Sequence, residues 1–301
     1  MKIRGVIPLL IILDIILFPF SLYFGFLAYF IVNYTFLLFF LLLIVTIYYY
    51  QKGAYRASDL PPFYRIEEIN ICVGIPAYND EASIYDVVKD FKSIPFVSKV
   101  IVVDNNSTDN TAKLAQEAGA IVVKEYKQGY GYACIRALKE CLINSNANII
   151  ALVESDSTFR ASDLYKMIPY LEHADMVLGT RTVPLLIEKK SQLDWFYYVG
   201  NIFLAMLINI KYVDKQIKIS DVGCTFRIIK RNALERIIDK LKRGGDSFSP
   251  HMIMVALENS LNIIEVPITF WKRKGKSKGA SSNKWKGIKV GLEMLKIIIF
   301  E

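Results

Sequence analysis

The sequence is poor in histidine and cysteine, two residue types that often build metal centres and catalytic sites. It has two histidines and four cysteines among 301 residues. None of the cysteines has the CxxC spacing of a metal site, and three lie in or beside apolar segments, where a reduced thiol packs like a small hydrophobe. For His173 and His251 a structural role is the default interpretation. The cysteines are therefore consistent with a reducing compartment.

Charged residues are almost absent from the first part of the chain, where Asp14 is the single charge between residues 5 and 50. One helix over that stretch would be about 69 Å long, more than twice a hydrocarbon core of about 30 Å. We therefore predict a transmembrane hairpin over residues 1–50, with helices near 6–27 and 32–50. A signal peptide is disfavoured because signal cores are shorter and end in a small-residue cleavage site, which this segment lacks.

Basic residues flank this apolar segment on both sides. Lys2 and Arg4 precede it, and Lys52 and Arg56 follow it. The positive-inside tendency places both ends on the cytoplasmic side of a membrane. We therefore expect a multi-pass protein of the cell membrane whose catalytic domain is cytoplasmic.

Acidic residues are absent from a second stretch, Trp271 to Leu292, which carries eight lysines and arginines. These eight charges equal the formal net charge of +8 of the whole chain. Such a segment is typical of a nucleic-acid-binding surface, but it would serve equally to bind phosphate in another form.

Between these two stretches, after a linker over residues 51–68, short apolar segments alternate with longer amphipathic ones. The alternation predicts an α/β domain over residues 69–282, with a mostly parallel sheet covered on both faces. The predicted strands are Ile71–Ile75, Val100–Val103, Ile121–Val123, Ile149–Val153 and Met176–Leu178. The predicted helices are Glu81–Lys92, Asp109–Ala118, Gly131–Ile143 and Ser162–Leu171.

Polar residues follow three of the predicted strands, in the runs Pro76–Glu81, Asp104–Asp109 and Glu154–Asp156. Each run alone is explained by helix capping or a solvated turn. Open α/β sheets, however, bind ligands at the carboxyl ends of their strands, where the three runs converge. Paired carboxylates at such an edge are the usual way to hold a divalent metal against a nucleotide diphosphate.

Two later segments are apolar or amphipathic. Residues 195–210 are too short to span a bilayer comfortably, and they predict either a helix at the membrane interface or an ordinary core helix. Residues 283–301 predict an amphipathic helix with the stripe Trp285, Ile288, Leu292, Leu295 and Ile299. Lysines lie mostly off that stripe, which favours an anionic membrane surface, although a helix docked on the sheet would show the same stripe.

The ordered motifs resemble those of family 2 inverting glycosyltransferases, and most closely the branch that includes dolichyl-phosphate mannose and glucose synthases, with similar strings in archaeal chains. The resemblance covers roughly residues 70 to 280. It rests on the runs Pro76–Glu81, Val102–Thr111, Lys127–Gly131, Glu154–Asp156, Gly179–Arg181, Asp221–Arg227 and Glu265–Ile268, followed by the basic run Lys272–Lys278.

The resemblance implies a GT-A fold, a nucleotide-sugar donor and Mg²⁺ or Mn²⁺ as cofactor, ligated by Asp156 with help from Glu154. It implies that Asp156, Arg181 and Asp221 are catalytic. The implied nucleotide-sugar-binding residues are Pro76, Tyr78, Asn79, Glu81, Asp104, Asn106, Lys127, Gly129 and Glu154, with close backbone approach at Gly129 and Gly131. The implied acceptor- or phosphate-binding residues are Arg227, Lys272, Arg273, Ser277 and Lys278.

The expected activity is transfer of a sugar from a UDP- or GDP-sugar to a polyprenyl (dolichyl) phosphate at the cytoplasmic membrane face, without a nucleic-acid partner. A phosphate acceptor is already an anion and hardly needs a strong general base. Three departures concern mainly the acceptor: Glu154 replaces the usual aspartate, Gly223–Phe226 replaces a commoner Ser-Gly-Phe, and His251 stands where relatives often have an acid.

Alternatives differ in acceptor or in class. The enzyme alternative is transfer to a lipid-linked glycan or another non-phosphate acceptor; a processive synthase is disfavoured because no QxxRW-like motif follows. The non-enzyme alternative is a membrane-anchored protein that binds anionic lipid or nucleic acid. A sugar-nucleotide pyrophosphorylase is disfavoured because the glycine-rich signature is missing at the first strand, where Ile75 and Pro76 follow Gly74.

Overall fold

The computed structural model describes residues 25, 30–31, 33–41, 43–44, 68–189, 191, 195–215, 217–275, 277–279 and 282–301. Most of the predicted hairpin over residues 1–50 and of the linker over 51–68 therefore lies outside the described residues. The described positions from 30 to 44 are helical. Within the described ranges, no helix is both long and apolar enough to cross a membrane.

A seven-stranded sheet forms the centre of the domain. Its strands are β1 (Ile71–Ala77), β2 (Val97–Asp104), β3 (Ile121–Lys124), β4 (Ile149–Leu152), β5 (Met176–Thr180), β6 (Arg227–Lys230) and β7 (Ile263–Pro267). They lie in the order β3-β2-β1-β4-β6-β5-β7. All neighbouring strands are parallel except β6, which runs antiparallel to both β4 and β5. The predicted mostly parallel sheet is thus confirmed, with one reversed strand.

Helices cover both faces of the sheet. These helices are α1 (Ile84–Lys92), α2 (Thr111–Glu117), α3 (Tyr130–Asn144), α4 (Leu164–Met167), α5 (Trp195–Lys211), α6 (Arg231–Ile237), α7 (Phe248–Glu258) and α8 (Lys284–Phe300). One face of the sheet packs against α3, α5, α6, α7 and α8, and the other packs against α1, α2 and α4. Buried strand residues alternate between the two faces, as a pleated strand requires.

The predicted helix Ser162–Leu171 is only partly correct. Its middle is the single turn α4, between the 3₁₀ segments Ala161–Asp163 and Ile168–Glu172. Pro169 lies in the second segment and has no N–H for the carbonyl four residues earlier, which favours the shift to the tighter helix.

The central strands are buried because helices cover them closely. Every residue of β1 and β4 is buried. At Gly74 a Cβ atom would lie 3.1 Å from Ala137 Cβ and 3.2 Å from Cys141 Sγ, so glycine lets α3 approach the sheet. This packing holds the carboxyl ends of β1 and β4 in a fixed relation.

Helices α5 and α8 lie side by side and run in the same direction. Tyr197 contacts Gly287 near their first turns, and Lys211 Nζ donates to Ile298 O at 2.7 Å near their last turns. The side chain of Asn283 accepts from Lys286 N at 2.8 Å and caps the start of α8. The predicted helices at residues 195–210 and 283–301 therefore both exist.

Helix α8 packs on the domain mainly through a second apolar stripe, and not through the Trp285 stripe, for which the sequence favours a membrane surface. Its buried side chains are Val290, Met294, Ile297 and Ile298. In the stripe that begins at Trp285, Trp285 is 77% and Leu292 59% exposed, while Leu295 is partly buried against the core. Apolar residues on two sides of one helix thus leave an uncovered apolar surface beside exposed lysines.

Helix α5 has the same division between a packed and an exposed side. Leu204, Ala205, Leu207 and Ile208 are buried in the core. Its exposed apolar residues, Trp195, Val199, Ile202 and Met206, are spaced four, three and four apart and form one stripe. Residues 195–210 are therefore a core helix on one side and an uncovered apolar surface on the other.

Candidate active site

The carboxyl ends of β1 and β2 are joined by side-chain hydrogen bonds. Asn79 donates its backbone N–H to Ser107 Oγ at 3.0 Å and accepts from Thr108 N at 2.8 Å. Glu81 Oε2 accepts from Asn110 N at 3.1 Å. Asn79 and Glu81, both predicted to contact the nucleotide, thus hold the two strand-end loops together.

The loop that follows β2 holds a third segment, residues 125–129, in place through hydrogen bonds. Asn105 Nδ2 donates to the carbonyls of Glu125 and Lys127 at 2.9 Å, and its Oδ1 accepts from Gly129 N at 2.9 Å. Asn106 Nδ2 donates to Tyr126 O at 2.9 Å. Both amides bind protein backbone, and Asn106 remains exposed, so its predicted nucleotide contact stays a prediction.

Two other predicted nucleotide-binding residues are also engaged within the protein. Asp104 is buried and accepts from Ser107 N at 3.2 Å. Lys127 Nζ lies 4.0 Å from the centroid of the Tyr132 ring. The structure thus places both beside the loop that follows β2.

The glycines of the Lys127–Gly131 motif make room for protein backbone. A Cβ at Gly129, whose φ is +150°, would collide with Gly244 O, and one at Gly131 would collide with Arg243 O. Gly131 N donates to Gly244 O at 2.8 Å. The expected close approach therefore occurs, but its partner is the segment 243–244.

Asp156 is buried and fixed from one side. Its Oδ1 accepts from Thr158 N at 3.0 Å and from Thr158 Oγ1 at 2.5 Å. Its Oδ2 lies 2.7 Å from Arg273 Nη2, in an orientation that makes no hydrogen bond. One carboxylate oxygen is thus fixed by Thr158, and the other forms an ion pair with Arg273.

Glu154 faces the same guanidinium at a longer distance. Its Oε1 accepts from Thr225 Oγ1 at 2.7 Å, and its Oε2 lies 3.7 Å from Arg273 Nη2. Burial, and then the negative charge of Asp156, raise the pKa of Glu154 to about 7, while Arg273 opposes the shift. Two carboxylates and one cation therefore share this site.

These donors fit Mg²⁺ or Mn²⁺. Both ions prefer oxygen ligands and are commonly held by one or two carboxylates together with substrate phosphates. Asp156 and the nearby Glu154, whose Oδ2 and Oε2 both face the Arg273 guanidinium, supply two such carboxylates. Among the described residues, no group of three or more His, Cys, Asp or Glu side chains could hold a metal ion.

Arg181 is held by Asp221 in a two-pronged ion pair. Arg181 Nε lies 2.7 Å from Oδ2 and Nη2 lies 2.8 Å from Oδ1, and the backbone N–H of Arg181 also donates to Oδ2 at 3.1 Å. Burial alone lowers the pKa of Arg181, but the Asp221 carboxylate outweighs it and holds the pKa above its ordinary value. The pair presents a permanently charged guanidinium.

Arg227 does not have the surroundings of a phosphate-binding residue. It is 1% exposed, and its guanidinium donates to the backbone carbonyls of Thr225, Ser249 and Cys224. Burial lowers the pKa of Arg227. Its predicted acceptor role is therefore corrected to a structural one, because three inward-facing carbonyls engage the charge.

One cavity of about 1100 Å³ joins the strand ends to the space between α5 and α8. One part of its wall is charged, with Asp80, Glu154, Asp156, Arg181, Arg273 and Lys278. Another part is apolar, with Trp195, Val199, Leu204, Ile288, Leu292 and Leu295. A charged site thus opens directly into an apolar space.

The structure brings eight of the predicted site residues to this cavity: Pro76, Tyr78, Gly129, Glu154, Asp156, Arg181, Arg273 and Lys278. It places nine others outside the described wall: Asn79, Glu81, Asp104, Asn106, Lys127, Asp221, Arg227, Lys272 and Ser277. Asp221 is 2% exposed and accepts hydrogen bonds from two residues of the wall, Arg181 and Gly223, which favours a positioning role over the predicted catalytic one. Lys272 instead donates its backbone N–H to Glu188 Oε2 at 2.5 Å.

Sequence reasoning missed several residues of the wall. Asp80, Asn105 and Thr225 line the cavity and lie within recognised motifs, so the motif itself was the available signal. Asp246 and Lys286 line it too, but they come from segments far apart in the chain. Lys278, which was predicted, forms an ion pair with Asp80.

Solved structures share this fold. Glucosyl-3-phosphoglycerate synthase from Mycobacterium tuberculosis, in complex with Mn²⁺, UDP and glucosyl-3-phosphoglycerate, has a TM-score of 0.57 and 17% identity over 75% of this chain and 77% of that one. The same enzyme with Mg²⁺ and UDP has a TM-score of 0.55 and 18% identity over 76% of this chain and 80% of that one. At this identity the likeness establishes the GT-A fold.

Curated relatives are more similar in sequence. Low-salt glycan biosynthesis hexosyltransferase Agl6 of Haloferax volcanii is 29% identical over 226 residues, which are 73% of this chain and 50% of Agl6. Glycosyltransferase AglJ of the same organism is 36% identical over 205 residues, 67% of this chain and 63% of AglJ. The matched region thus spans about half to two thirds of these relatives. The family model described as glycosyl transferase family 2 matches residues 72–238. With the strand-end carboxylates and the GT-A fold, this match shows that the chain belongs to glycosyl transferase family 2.

Proposed function

We propose that the protein is an inverting hexosyltransferase that moves a sugar from a UDP- or GDP-sugar to a polyprenyl (dolichyl) phosphate at the cytoplasmic face of a membrane. One observation carries the proposal: the cavity that contains Glu154, Asp156 and Arg181 also has an apolar wall between α5 and α8. A substrate with a charged head and a long apolar tail matches both parts of that wall.

The charged wall suits the departure of a nucleoside diphosphate. Negative charge grows on the leaving diphosphate as the sugar bond breaks, and preorganised cations lower the barrier. Arg273 lies in the wall beside the carboxylate pair, and Lys278 lies in the same wall, where it pairs with Asp80. A divalent cation held by Asp156 and Glu154 would supply further charge stabilisation. The mycobacterial neighbours that bind UDP with Mn²⁺ or Mg²⁺ support a UDP-sugar as donor.

The acceptor side suits a phosphate monoester. Such an acceptor is an anion near neutral pH, so positioning contributes more than deprotonation does. The two-pronged pair with Asp221 fixes the direction of the Arg181 guanidinium, which can then bind a phosphate in a defined orientation.

The exposed apolar stripes support a membrane location for this opening. Trp195 on α5 is 74% exposed, and with Leu292 it lines the apolar wall, while Trp285 of the same helix as Leu292 is 77% exposed. Lysines 284 and 289 are exposed on α8 and would face anionic headgroups. We expect the double change Trp285→Ser and Leu292→Ser to raise the KM for polyprenyl phosphate at least about ten-fold, because apolar contact with lipid is lost.

Ile143 is the matched control for that experiment. It is 74% exposed at the end of α3 and does not line the cavity. Ile143→Ser is expected to leave the KM for polyprenyl phosphate unchanged. An equal rise in KM for both variants would contradict a specific lipid-facing surface.

The decisive experiment is a donor panel. Membranes that contain the protein are incubated with UDP- and GDP-sugars and Mn²⁺, with and without dolichyl phosphate, and free nucleoside diphosphate is measured. Release that depends on dolichyl phosphate supports the proposal. Release that occurs only with another acceptor would overturn the proposal. Absence of release with every donor and acceptor tested would overturn it as well.

A second acceptor class is favoured by one observation. Asp246 and Glu293 also line the cavity, and two carboxylates would repel a phosphate acceptor but could bind sugar hydroxyls. Burial, and to a lesser extent Glu293, raise the pKa of Asp246 while Lys286 opposes the shift, which suits a general base for a hydroxyl. A lipid-linked glycan would then be the acceptor. Asp246→Asn would abolish transfer to a hydroxyl acceptor but spare transfer to a phosphate.

A further inference from the structure

Glu265 on β7 binds two successive backbone N–H groups far away in the chain. Its Oε1 accepts from Asp221 N at 2.9 Å, and its Oε2 accepts from Ser220 N at 2.8 Å and from Ser220 Oγ at 2.6 Å. Both oxygens of one carboxylate are thus used to hold residues 220 and 221. A neutral glutamine has one acceptor oxygen, so it could not accept from both amides in this arrangement.

The sheet explains why Glu265 reaches that segment. Strand β7 runs parallel to β5, with Glu265 opposite Leu178 and Val266 opposite Gly179. The chain leaves β5 at Thr180, directly before Arg181. A side chain on β7 therefore lies beside the start of the loop that carries Arg181.

Ser220 also connects to both neighbours of Arg181. Its Oγ lies 3.0 Å from Thr180 Oγ1 and 2.8 Å from Thr182 Oγ1. Asp221, the next residue, receives the three hydrogen bonds from Arg181 described above. Glu265 therefore holds the segment that in turn holds the backbone and the guanidinium of Arg181.

This arrangement brings the carboxylates of Glu265 and Asp221 close together. Burial, together with the charge of Asp221, raises the pKa of Glu265, while the bonds from Ser220 and Asp221 oppose the shift. Like charges at short range are unfavourable, so Glu265 stabilises this segment through directed hydrogen bonds, not through net charge.

We propose that Glu265 is a positioning residue for the transfer reaction, which fixes the Arg181 guanidinium in the cavity through Ser220 and Asp221. The proposal rests on the acceptor-side role of Arg181 proposed above. Displacing a phosphate-binding guanidinium by about 1 Å is enough to cost on the order of 100-fold in rate. Glu265 itself is not among the described residues that line the cavity.

The test is a double-variant cycle with Glu265→Gln and Arg181→Ala, read as the rate of nucleoside diphosphate release with the best acceptor. Glu265→Gln alone is expected to lower kcat about 10- to 100-fold while the affinity for UDP with Mn²⁺ stays the same. In the Arg181→Ala background the same change is expected to have no further effect. Losses that multiply in the double variant would overturn the proposal, because a general structural role would act in both backgrounds.

Asp163 offers a matched control. It is a buried carboxylate whose Oδ2 accepts from Thr269 N at 3.1 Å and from Thr269 Oγ1 at 2.6 Å, away from the cavity wall. Asp163→Asn is expected to lower stability but to leave kcat within about three-fold of the wild type.

A second measurement does not depend on the acceptor. In ¹H–¹⁵N spectra the Nε–H resonance of Arg181 reports its bond to Asp221, and we expect Glu265→Gln to shift or broaden it while Asp163→Asn does not. An unchanged resonance in Glu265→Gln would overturn the positioning role even if no phosphate acceptor were used. Absence of phosphate-dependent release in the wild type, with that resonance shifted in Glu265→Gln, would instead count against the proposed function alone.

Discussion

Removing one hydroxyl, in the variant Thr225→Val, tests how Glu154 is prepared for a cation. Thr225 is 1% exposed, and its Oγ1 donates to Glu154 Oε1 at 2.7 Å. The same hydroxyl also bonds to Tyr130 OH. Valine has nearly the shape of threonine, so the change removes the donor without opening a large cavity.

The expected size follows from the hydrogen bond. A bond to a charged group contributes about 1.5–3 kcal/mol, and the Thr225 bond favours the ionised form of Glu154. Its loss should raise the pKa of Glu154 further above its present value of about 7. Each pKa unit corresponds to about 1.4 kcal/mol, so a rise of one unit would lower the ionised fraction of Glu154 at pH 7 from about one half to about one tenth, and a cation that competes with the proton should bind about five-fold more weakly.

The assay is calorimetric titration of Mn²⁺ in the presence of UDP, at pH 6.5, 7 and 8.5, for Thr225→Val and for Thr225→Ser. Serine keeps the hydroxyl and should bind Mn²⁺ within about two-fold of the wild type. The deficit of the valine variant should shrink as the pH rises, because Glu154 becomes ionised in both proteins.

Two results would refute this reasoning. One is Mn²⁺ affinity for Thr225→Val equal to that of the wild type at pH 7. The other is a deficit that does not change with pH, which would indicate a distorted site and not a protonated Glu154. Thermal denaturation checks the fold, since Tyr130 OH also loses a partner, at a cost of about 1–3 kcal/mol.

The remaining predictions concern Asp156, Glu154 and Arg227. Asp156→Asn should lower nucleotide release at least about 100-fold, whereas Asp163→Asn should not; comparable rates would contradict the metal-site role. The native pKa of Glu154, about 7, lies above the ordinary 4.5, so its contribution to stability is present below 4.5 and is lost as the pH rises to 7; metal-free Glu154→Gln should therefore show a flatter Tm–pH curve over that window than the wild type. Arg227→Met leaves three buried carbonyls without their donor and should lower the free energy of unfolding by about 3 kcal/mol in urea titrations, and a loss below about 1 kcal/mol would contradict its structural role.

Much of the fold was predictable because its signals are local. Strands β1 and β4 are continuous apolar runs buried on both faces, which is how a central parallel strand reads in sequence. The reversed strand β6 was not predicted, since four residues of mixed polarity carry no direction. Its position between β4 and β5 depends on pairing with strands far away in the chain.

The candidate site was likewise predictable only where its residues are neighbours in the sequence. Glu154 and Asp156 were identified because a strand end and its following residues are adjacent in sequence, and adjacency places them at one edge of the sheet. Their partners could not be identified, because Thr225 reaches Glu154 across 71 residues. The inward turn of Arg227 depends on carbonyls that exist only once the loops have packed.

The sequence by itself therefore determined the strand–helix alternation, the carboxylate pair and the family, because apolar periodicity and short ordered motifs are properties of neighbouring residues. Only the tertiary structure decided which charged groups face the cavity. It paired Asp221 with Arg181, a residue 40 positions earlier in the chain, and it buried Arg227 in the core. It also left Trp285 and Leu292 of α8 exposed. Those outcomes depend on hydrogen bonds and contacts between distant segments, which the folded chain alone brings together.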